Sequence, residues 1–294
     1  MSPADLQFWM LAQRRVSLMQ PDVQAALLRA FQIIRDALTE AQLQQVVDSG
    51  NLDRLFAEAL DQAVMDRAFI PYRQRIRSVT DRGFVYATKD LPGAGKINGV
   101  LSVSFDHLSP DVITAIRTME TKVLQALQAD IRDVVRAFIE NGIRNGDGPR
   151  TIARALRDVI GLSPTQEANA LKYEAKLRAR VPALRSDQID RLVMRYRKRA
   201  ATLNAETNAR TATLDAYKEG QRLAWQQAID QGIVDPSRLM KSWKGVMDTR
   251  ERPEHVAMEG ETVPFNARYT NGEMNPGDST FNCRCVNIFR MRAA

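Results

Sequence analysis

From Ser109-Pro110-Asp111 to about Ile143 the chain carries apolar residues at Val112, Ile116, Val123, Leu127, Ile131, Val135 and Ile139. Intervals of four and seven set them on one stripe of a helix, and an uninterrupted stripe of that length is a helix–helix seam. A chain built around such a seam folds as packed helices, and its neighbours agree. Ser2-Pro3 followed by Leu6, Met10 and Leu11 has the form of an N-cap, a first-turn proline and an apolar face. Pro21-Asp22 is expected to open a second helix bearing Val23, Leu27, Phe31 and Ile34. A third is expected from about Leu52 to Arg77, with Phe56, Leu60 and Val64 on its apolar face and Pro71 kinking or ending it locally.

Beyond the seam, Asn145-Gly146-Asp147-Gly148 stops the helix, and Pro149 begins a short one that ends at Gly161. Ser163-Pro164-Thr165-Gln166 is a capping box ahead of a helix to about Val181, and Ser186 caps a long pattern that can continue, with or without a break, through Trp225 to Gly232. Two stretches depart from this. Between Gly83 and His107 short alternating runs such as Gly83-Phe84-Val85-Tyr86 and Val100-Leu101-Ser102-Val103, punctuated by Gly93, Gly95 and Gly99, predict an extended loop or small hairpin. Gly93-Ala94-Gly95-Lys96 has a superficial likeness to the end of a phosphate-binding loop. The first glycine of that motif is missing, however, and Ile97 stands where its Ser or Thr belongs. After Gly232, Pro236, Pro253, Pro264 and Pro276 with Gly245, Gly260, Gly272 and Gly277 exclude a continuous helix. Ser242 to Val246, anchored by Trp243, and Val286 to Phe289 are the expected strands.

The fold class is therefore mainly α, an elongated helical body with a small C-terminal α+β module. Residues 1–82 form an N-terminal helical region, 83–108 the arm, 109–234 the long-helix body and 235–294 the module. A length of 294 residues with 44% hydrophobic content is enough for two cores.

The balance of 42 basic against 35 acidic residues favours contact with a polyanion or an acidic protein surface. The densest basic stretch includes Lys172, Lys176, Arg178, Arg180, Arg185, Arg191, Arg195, Arg197, Lys198 and Arg199, opposed only by Glu174, Asp187 and Asp190. Helical residues of this kind neutralise phosphates without reading bases, so double-stranded DNA would be held through its backbone. Arg191, Arg195, Arg197, Lys198 and Arg199 are the contact candidates; the plainer reading is a solvated helical face. Aromatic interleaving is limited to Tyr173 and Tyr196, a poor stacking platform for a single strand. No apolar run approaches the roughly 18 residues of a membrane span. Met1-Ser2-Pro3-Ala4-Asp5 does not have the form of a secretory signal, so folding in a reducing, intracellular site is expected.

The rarest chemistry lies at the end. Trp243, Asp248, Arg250, Arg252, His255 and Gly260 precede Pro276-Gly277-Asp278 and Asn282-Cys283-Arg284-Cys285, which hold both cysteines of the chain. Three readings stand. His255, Cys283 and Cys285 could ligate zinc, with Asp248 or Glu259 as a fourth ligand, although Cys-x-Cys is narrower than usual zinc spacing. Asp248 and His255 could form a carboxylate–imidazole pair while arginines hold an anionic substrate, but no nucleophile is placed beside them. Or Asp248 pairs with Arg250, Arg252 or Arg284, His255 is bonded to backbone, and two small buried cysteines join them to staple a module that lacks a large core. That structural reading is adopted, with no catalytic residue and no cofactor, and zinc on His255, Cys283 and Cys285 as the option to test.

The order Lys241-Ser242-Trp243, Asp248-Thr249-Arg250, His255, Glu259-Gly260, Val263 to Phe265, Pro276-Gly277-Asp278 and Asn282-Cys283-Arg284-Cys285 resembles the C-terminal signature of the phage Mu F-like minor head proteins, the phage head morphogenesis family. Gly161-Leu162-Ser163, Tyr196-Arg197, Ala205-Glu206-Thr207, Ala216 and Gly220 are similar to the helical approach to that signature, so the resemblance covers about residues 135 to 290. Asn204 stands where the family usually has arginine, and Arg250-Glu251-Arg252 replaces the commoner Arg-Thr-Arg. The resemblance implies a low-copy component of the virion head of a tailed phage or prophage, made in the host bacterial cytoplasm. Its implied partners are the portal protein, the major capsid or scaffolding protein, packaged DNA and other copies of itself, in assembly, packaging or delivery. The rival from another class is a metal-dependent phosphodiesterase or toxin-like enzyme using Asp248, His255 and the cysteines.

Overall fold

The computed structural model describes residues 2–49, 57, 60–91, 96–97, 100–101, 106, 109–180 and 183–292. Long helices dominate: Pro3–Ala37, Ile70–Ala87, Pro110–Arg144 and Ser186–Asp230, the last of 45 residues. Shorter ones are Glu40–Ser49, Gln62–Ala68, Pro149–Leu156 and Pro164–Arg178. Most caps follow the sequence. The Ser2 hydroxyl accepts from the Asp5 N–H, Pro149 enters at the first helical turn, and Ser163 with Gln166 forms the full capping box. The start of the Leu52–Arg77 reading, residues 52–56 and 58–59, lies outside the described residues. Within the part that is described, one helix ends at Ala68 and the next starts at Ile70, with Pro71 in its first turn.

Two helical expectations are corrected. Pro21 lies inside one helix, Pro3–Ala37, rather than opening a second, and a buried stripe through Val16, Met19, Val23, Leu27 and Ile34 runs past it. Gly83-Phe84-Val85-Tyr86 does not begin the extended arm; it is the last part of the Ile70–Ala87 helix. The cause is packing. A Cβ on Gly83 would land on the Tyr217 carbonyl oxygen, and one on Gly220 would land on the Thr80 carbonyl oxygen. These glycines mark where two helix backbones nearly touch, a use of glycine that reads in sequence as a loop. Among the arm's remaining described residues, Thr88–Asp90 form a 3-10 turn and Lys96–Ile97 pair antiparallel with Val100–Leu101; Gly93 to Gly95 and Gly99 lie outside the described residues.

The chain divides into two compact units. One comprises Met1–Val23, Gln74–Glu120 and Thr207–Ala294. Its core gathers Phe84, Leu91, Val112, Leu223, Trp225 and Leu239, and Phe289 packs on Trp225 at 5.8 Å. A three-stranded antiparallel sheet belongs to this unit, with Leu239–Lys244 between Thr262–Pro264 and Val286–Met291. The two expected strands pair as read, Ser242 opposite Ile288; the Thr262–Pro264 strand is additional. The other unit comprises Gln24–Arg73 and Thr121–Glu206. Within it the Arg35 guanidinium donates to the Ile160 carbonyl at 2.7 Å, Asn204 Nδ2 donates to the Gly161 carbonyl at 3.0 Å, and Leu177, Ile189 and Val193 cluster.

The Ser186–Asp230 helix buries Ala201, Ala205, Ala209, Ala212, Ala216, Ala224 and Ala228 along the stripe that holds Gly220. Small side chains there let neighbouring elements approach closely. In an exposed helix Gly→Ala gains up to about 1 kcal/mol, but here the added methyl meets backbone. Gly220→Ala and Gly83→Ala should each destabilise by about 1–3 kcal/mol, read as a lowered urea midpoint; a raised midpoint would refute the close crossing.

Candidate functional site

The module positions its polar residues from the sheet outward. On the central strand, alternation sends Leu239, Lys241 and Trp243 to the buried side. Trp243 is fully buried and stands edge-on to His255 at 5.3 Å and to Tyr269 at 5.2 Å. Lys241 Nζ donates to the Met274 carbonyl at 2.7 Å, and desolvation by burial lowers its pKa to about 8. The Tyr269 hydroxyl donates to Asn287 Oδ1 at 2.7 Å, and Asn287 Nδ2 donates to Asn275 Oδ1 at 2.9 Å. His255 enters from the one-and-a-half-turn helix Pro253–Ala257, opened by Pro253. The final strand begins at Val286, immediately after the cysteines.

Asn282 sets the direction of that approach. Its φ of 58° is left-handed, a conformation asparagine tolerates better than most residues, and its N–H donates to Thr211 Oγ1 at 2.8 Å. Past it the chain alternates. Cys283 and Cys285 are buried beside Trp243, Met258 and Tyr269, whereas Arg284 grips Asp248, with Nη1 donating to Oδ2 at 2.6 Å. The Arg284 guanidinium holds the Asp248 carboxyl well below its usual range, and the Arg250 N–H adds a hydrogen bond of 3.0 Å. Arg250 itself is solvent-facing, its guanidinium 3.8 Å from Asp248.

His255 Nδ1 is 3.5 Å from both sulfurs, and the Cys285 N–H donates to Cys283 Sγ at 3.3 Å. Cys285 Sγ lies 3.0 Å from Glu251 Oε1. The Cys283 thiol is lowered to about 6, chiefly by the hydrogen bond from Cys285, whose own pKa rises in return. Behind the sulfurs, buried Lys218 pairs with Asp215 at 2.7 Å and donates to the Pro276 carbonyl at 2.6 Å. Desolvation pulls the Lys218 pKa down, but Asp215 and Cys283 outweigh it and the net shift is upward.

Every residue assigned to the polar cluster thus lies in one neighbourhood, but the partnerships differ from two of the readings. Asp248 faces arginines rather than His255, so the carboxylate–imidazole pair is not formed, and His255 Nδ1 faces the two sulfurs rather than backbone. Neither Asp248 nor Glu259 accompanies the sulfurs; Glu259 binds Lys244 and accepts from the Gly245 N–H at 2.7 Å, and Glu251 is the carboxylate beside Cys285. Sequence reasoning also missed Trp9 and Gln13, which donate to the Arg284 carbonyl at 2.9 and 3.0 Å. No spacing signal links residues so far apart. Beside them opens a cleft of about 550 Å³ walled by Arg14, Arg210, Arg250 and Arg284 with Trp9 and Asn282, a lining that suits anions.

The basic helix divides differently. Arg191, Arg195, Lys198 and Arg199 are exposed, close together on the outer face of Ser186–Asp230. Arg197 is buried at 6% exposure and binds Glu167 through two hydrogen bonds of 2.9 and 2.6 Å, with its guanidinium 5.0 Å over the Phe138 ring. It therefore leaves the set of surface candidates. The sequence does carry the signal: Arg197 falls on the four-residue stripe of Ile189, Val193 and Ala201, all buried. Burial raises the Glu167 carboxyl while Arg197 pulls it down, and the net shift is upward.

Residues 133–288 match the family model described as Phage Mu protein F like protein. No curated protein and no solved structure matches the chain.

Removing one partner of a buried ion pair leaves the other charge uncompensated, at a cost of about 3–5 kcal/mol. Arg197→Ala should lose that much in denaturant unfolding, Arg195→Ala less than about 0.5 kcal/mol, and the double change Arg197→Met with Glu167→Leu should recover most of it. Equal effects of the two single changes would contradict the assignment of Arg197 to the interior.

Proposed function

The chain belongs to the phage Mu protein F like family, and from that premise we propose that it is a minor head protein of a tailed phage or prophage. The family is one of structural head-morphogenesis proteins, which makes the virion head its place of residence. In this reading it is made in the host bacterial cytoplasm, joins the portal and inner shell during assembly, and touches packaged DNA without catalysing a reaction. The observation that carries the reading is the family match, which spans the module and the helical approach to it.

The docking mode is best drawn from what is exposed. The apolar seam of Pro110–Arg144 is not available for docking: Val112, Leu127, Ile131, Val135 and Ile139 are all buried. Leu6, Met10, Leu11 and Leu18 on the N-terminal helix are exposed, Leu18 at 71%. Exposed apolar clusters of this kind favour protein partners, and we assign portal or shell contact, or self-association in the virion, to that surface. DNA contact is assigned to Arg191, Arg195, Lys198 and Arg199, which reach phosphates without base readout. Among the described residues no helix is long and apolar enough to cross a membrane. The enzymatic alternative is weakened by the loss of its acid–base pair and by the burial of His255, Cys283 and Cys285.

Two measurements test this. Reversing the charge of Arg191, Arg195, Lys198 and Arg199 should weaken DNA binding and flatten its salt dependence by about 0.9 in log–log slope for each phosphate no longer neutralised, with circular dichroism unchanged; unchanged binding across the titration rejects the DNA role. Met10→Lys with Leu18→Lys should abolish co-purification with co-expressed portal protein, and retention of the portal by this variant would remove the docking assignment.

A further inference from the structure

We propose that His255 Nδ1, Cys283 Sγ and Cys285 Sγ hold a zinc ion as the structural clasp of the C-terminal module, and that the Glu251 carboxylate, which stands beside Cys285, turns in as the fourth donor to close the site. The three soft donors lie within 4.8 Å of one another and all three residues are buried. Zinc–sulfur bonds of about 2.3 Å and zinc–nitrogen bonds of about 2.0–2.1 Å set sulfur and nitrogen about 3.5 Å apart around a tetrahedral ion. Both sulfurs stand at 3.5 Å from the same His255 nitrogen.

Hydrogen bonding alone accounts for this less well. A neutral imidazole offers one accepting lone pair at Nδ1, so one thiol can donate to it and the second has no reason to stand equally close. The Cys285 thiol already has an acceptor in Glu251 Oε1 at 3.0 Å. A common central ion explains both distances, and the carboxylate 3.0 Å from Cys285 Sγ has only to turn inward to become the fourth donor. The surroundings make room for this convergence. A Cβ on Gly245 would collide with Glu251 Oε1, and one on Gly277 would stand 2.7 Å from Cys283 Sγ. Trp243 stands edge-on to the imidazole and restricts its orientation, and the Met247 N–H donates to Glu251 Oε2 at 2.5 Å.

Charge and burial point to a structural ion. Two thiolates and one carboxylate around a divalent cation leave one excess negative charge, and the buried Lys218 ammonium lies behind the Cys283 side. On binding, each thiol gives its proton to solvent and its sulfur lone pair to the ion; nothing is oxidised or reduced. Four protein donors leave no open position for water or substrate, the mark of a structural rather than a catalytic zinc site. The adjoining apolar cluster is small, Trp243, Met258 and Tyr269 with the two cysteines, so an ion at its centre would supply much of the module's folding energy.

The test uses the full chain and metal ions alone. Protein purified without chelator should carry zinc at close to one ion per chain by elemental analysis. Stripped protein titrated with cobalt(II) should develop tetrahedral thiolate-to-metal absorption, which zinc then bleaches. Cys283→Ser should lose that spectrum, and Glu251→Gln should weaken zinc binding by at least about tenfold, at or above the usual loss from removing an outer-shell partner. Since the cysteine variant could simply fail to fold, the cobalt titration of the unaltered chain decides. Absence of the absorption in a folded chain, with both thiols reacting equally fast with and without zinc, would overturn the proposal.

Discussion

The module depends on a two-residue alternation. In extended backbone successive side chains point to opposite sides, and at Cys283-Arg284-Cys285 that alternation separates three kinds of chemistry. Both sulfurs go inward to Trp243 and His255, the Arg284 guanidinium goes to Asp248, and the carbonyl between the cysteines receives Trp9 and Gln13. The strand that follows pairs Val286 with Lys244 and Asn287 with Trp243. A slip of one residue would exchange the faces, burying a guanidinium and exposing the thiols. Asn282 in its left-handed turn and the Thr211 hydroxyl that accepts its N–H guard that register from the helical side.

Much of this is legible in the sequence. Periodicity locates the long helices, and the proline–glycine punctuation after Gly232 locates the change to strands. The capping box at Ser163 follows local rules that sequence expresses directly, and the two strands read around Trp243 and after Val286 do pair, in a register that only the fold supplies. What fails shares one cause: local signals are overruled by long-range packing. Gly83 reads as the start of a loop because a glycine weakens a helix on its own, yet its missing Cβ admits the backbone of Tyr217. Pro21 reads as a helix start, yet the buried stripe carries the helix past it. Within the site the residue types are evident but not their partners, because Asp248, Glu251 and Glu259 are equivalent acids in sequence and only the fold distributes them among Arg284, Cys285 and Lys244.

Charge tells the same story on the long helix. Five basic residues between 191 and 199 suggest a uniform face, but a helix has an inside, and position 197 is on it. Arg197 offsets the buried Glu167 instead of a phosphate, while its neighbours two residues before and one and two residues after remain in solvent. A basic run on an amphipathic helix therefore has to be sorted by the apolar stripe before it is read as a ligand surface.

The family match begins at residue 133, leaving the N-terminal helix outside it, and that helix carries no motif of its own. Structurally it is part of the site. Asp5, Trp9 and Gln13, spaced by four, form one stripe whose members bind Arg290, the Arg284 carbonyl and the same carbonyl again. Trp9 and Gln13 hold the Cys-Arg-Cys segment through its backbone carbonyl, and Asp5 holds the strand beyond it through Arg290. Leu6, Met10 and Leu18 face solvent on the same helix. A partner seated on that exposed face would therefore press on the helix whose Trp9 and Gln13 bond directly to the Arg284 carbonyl.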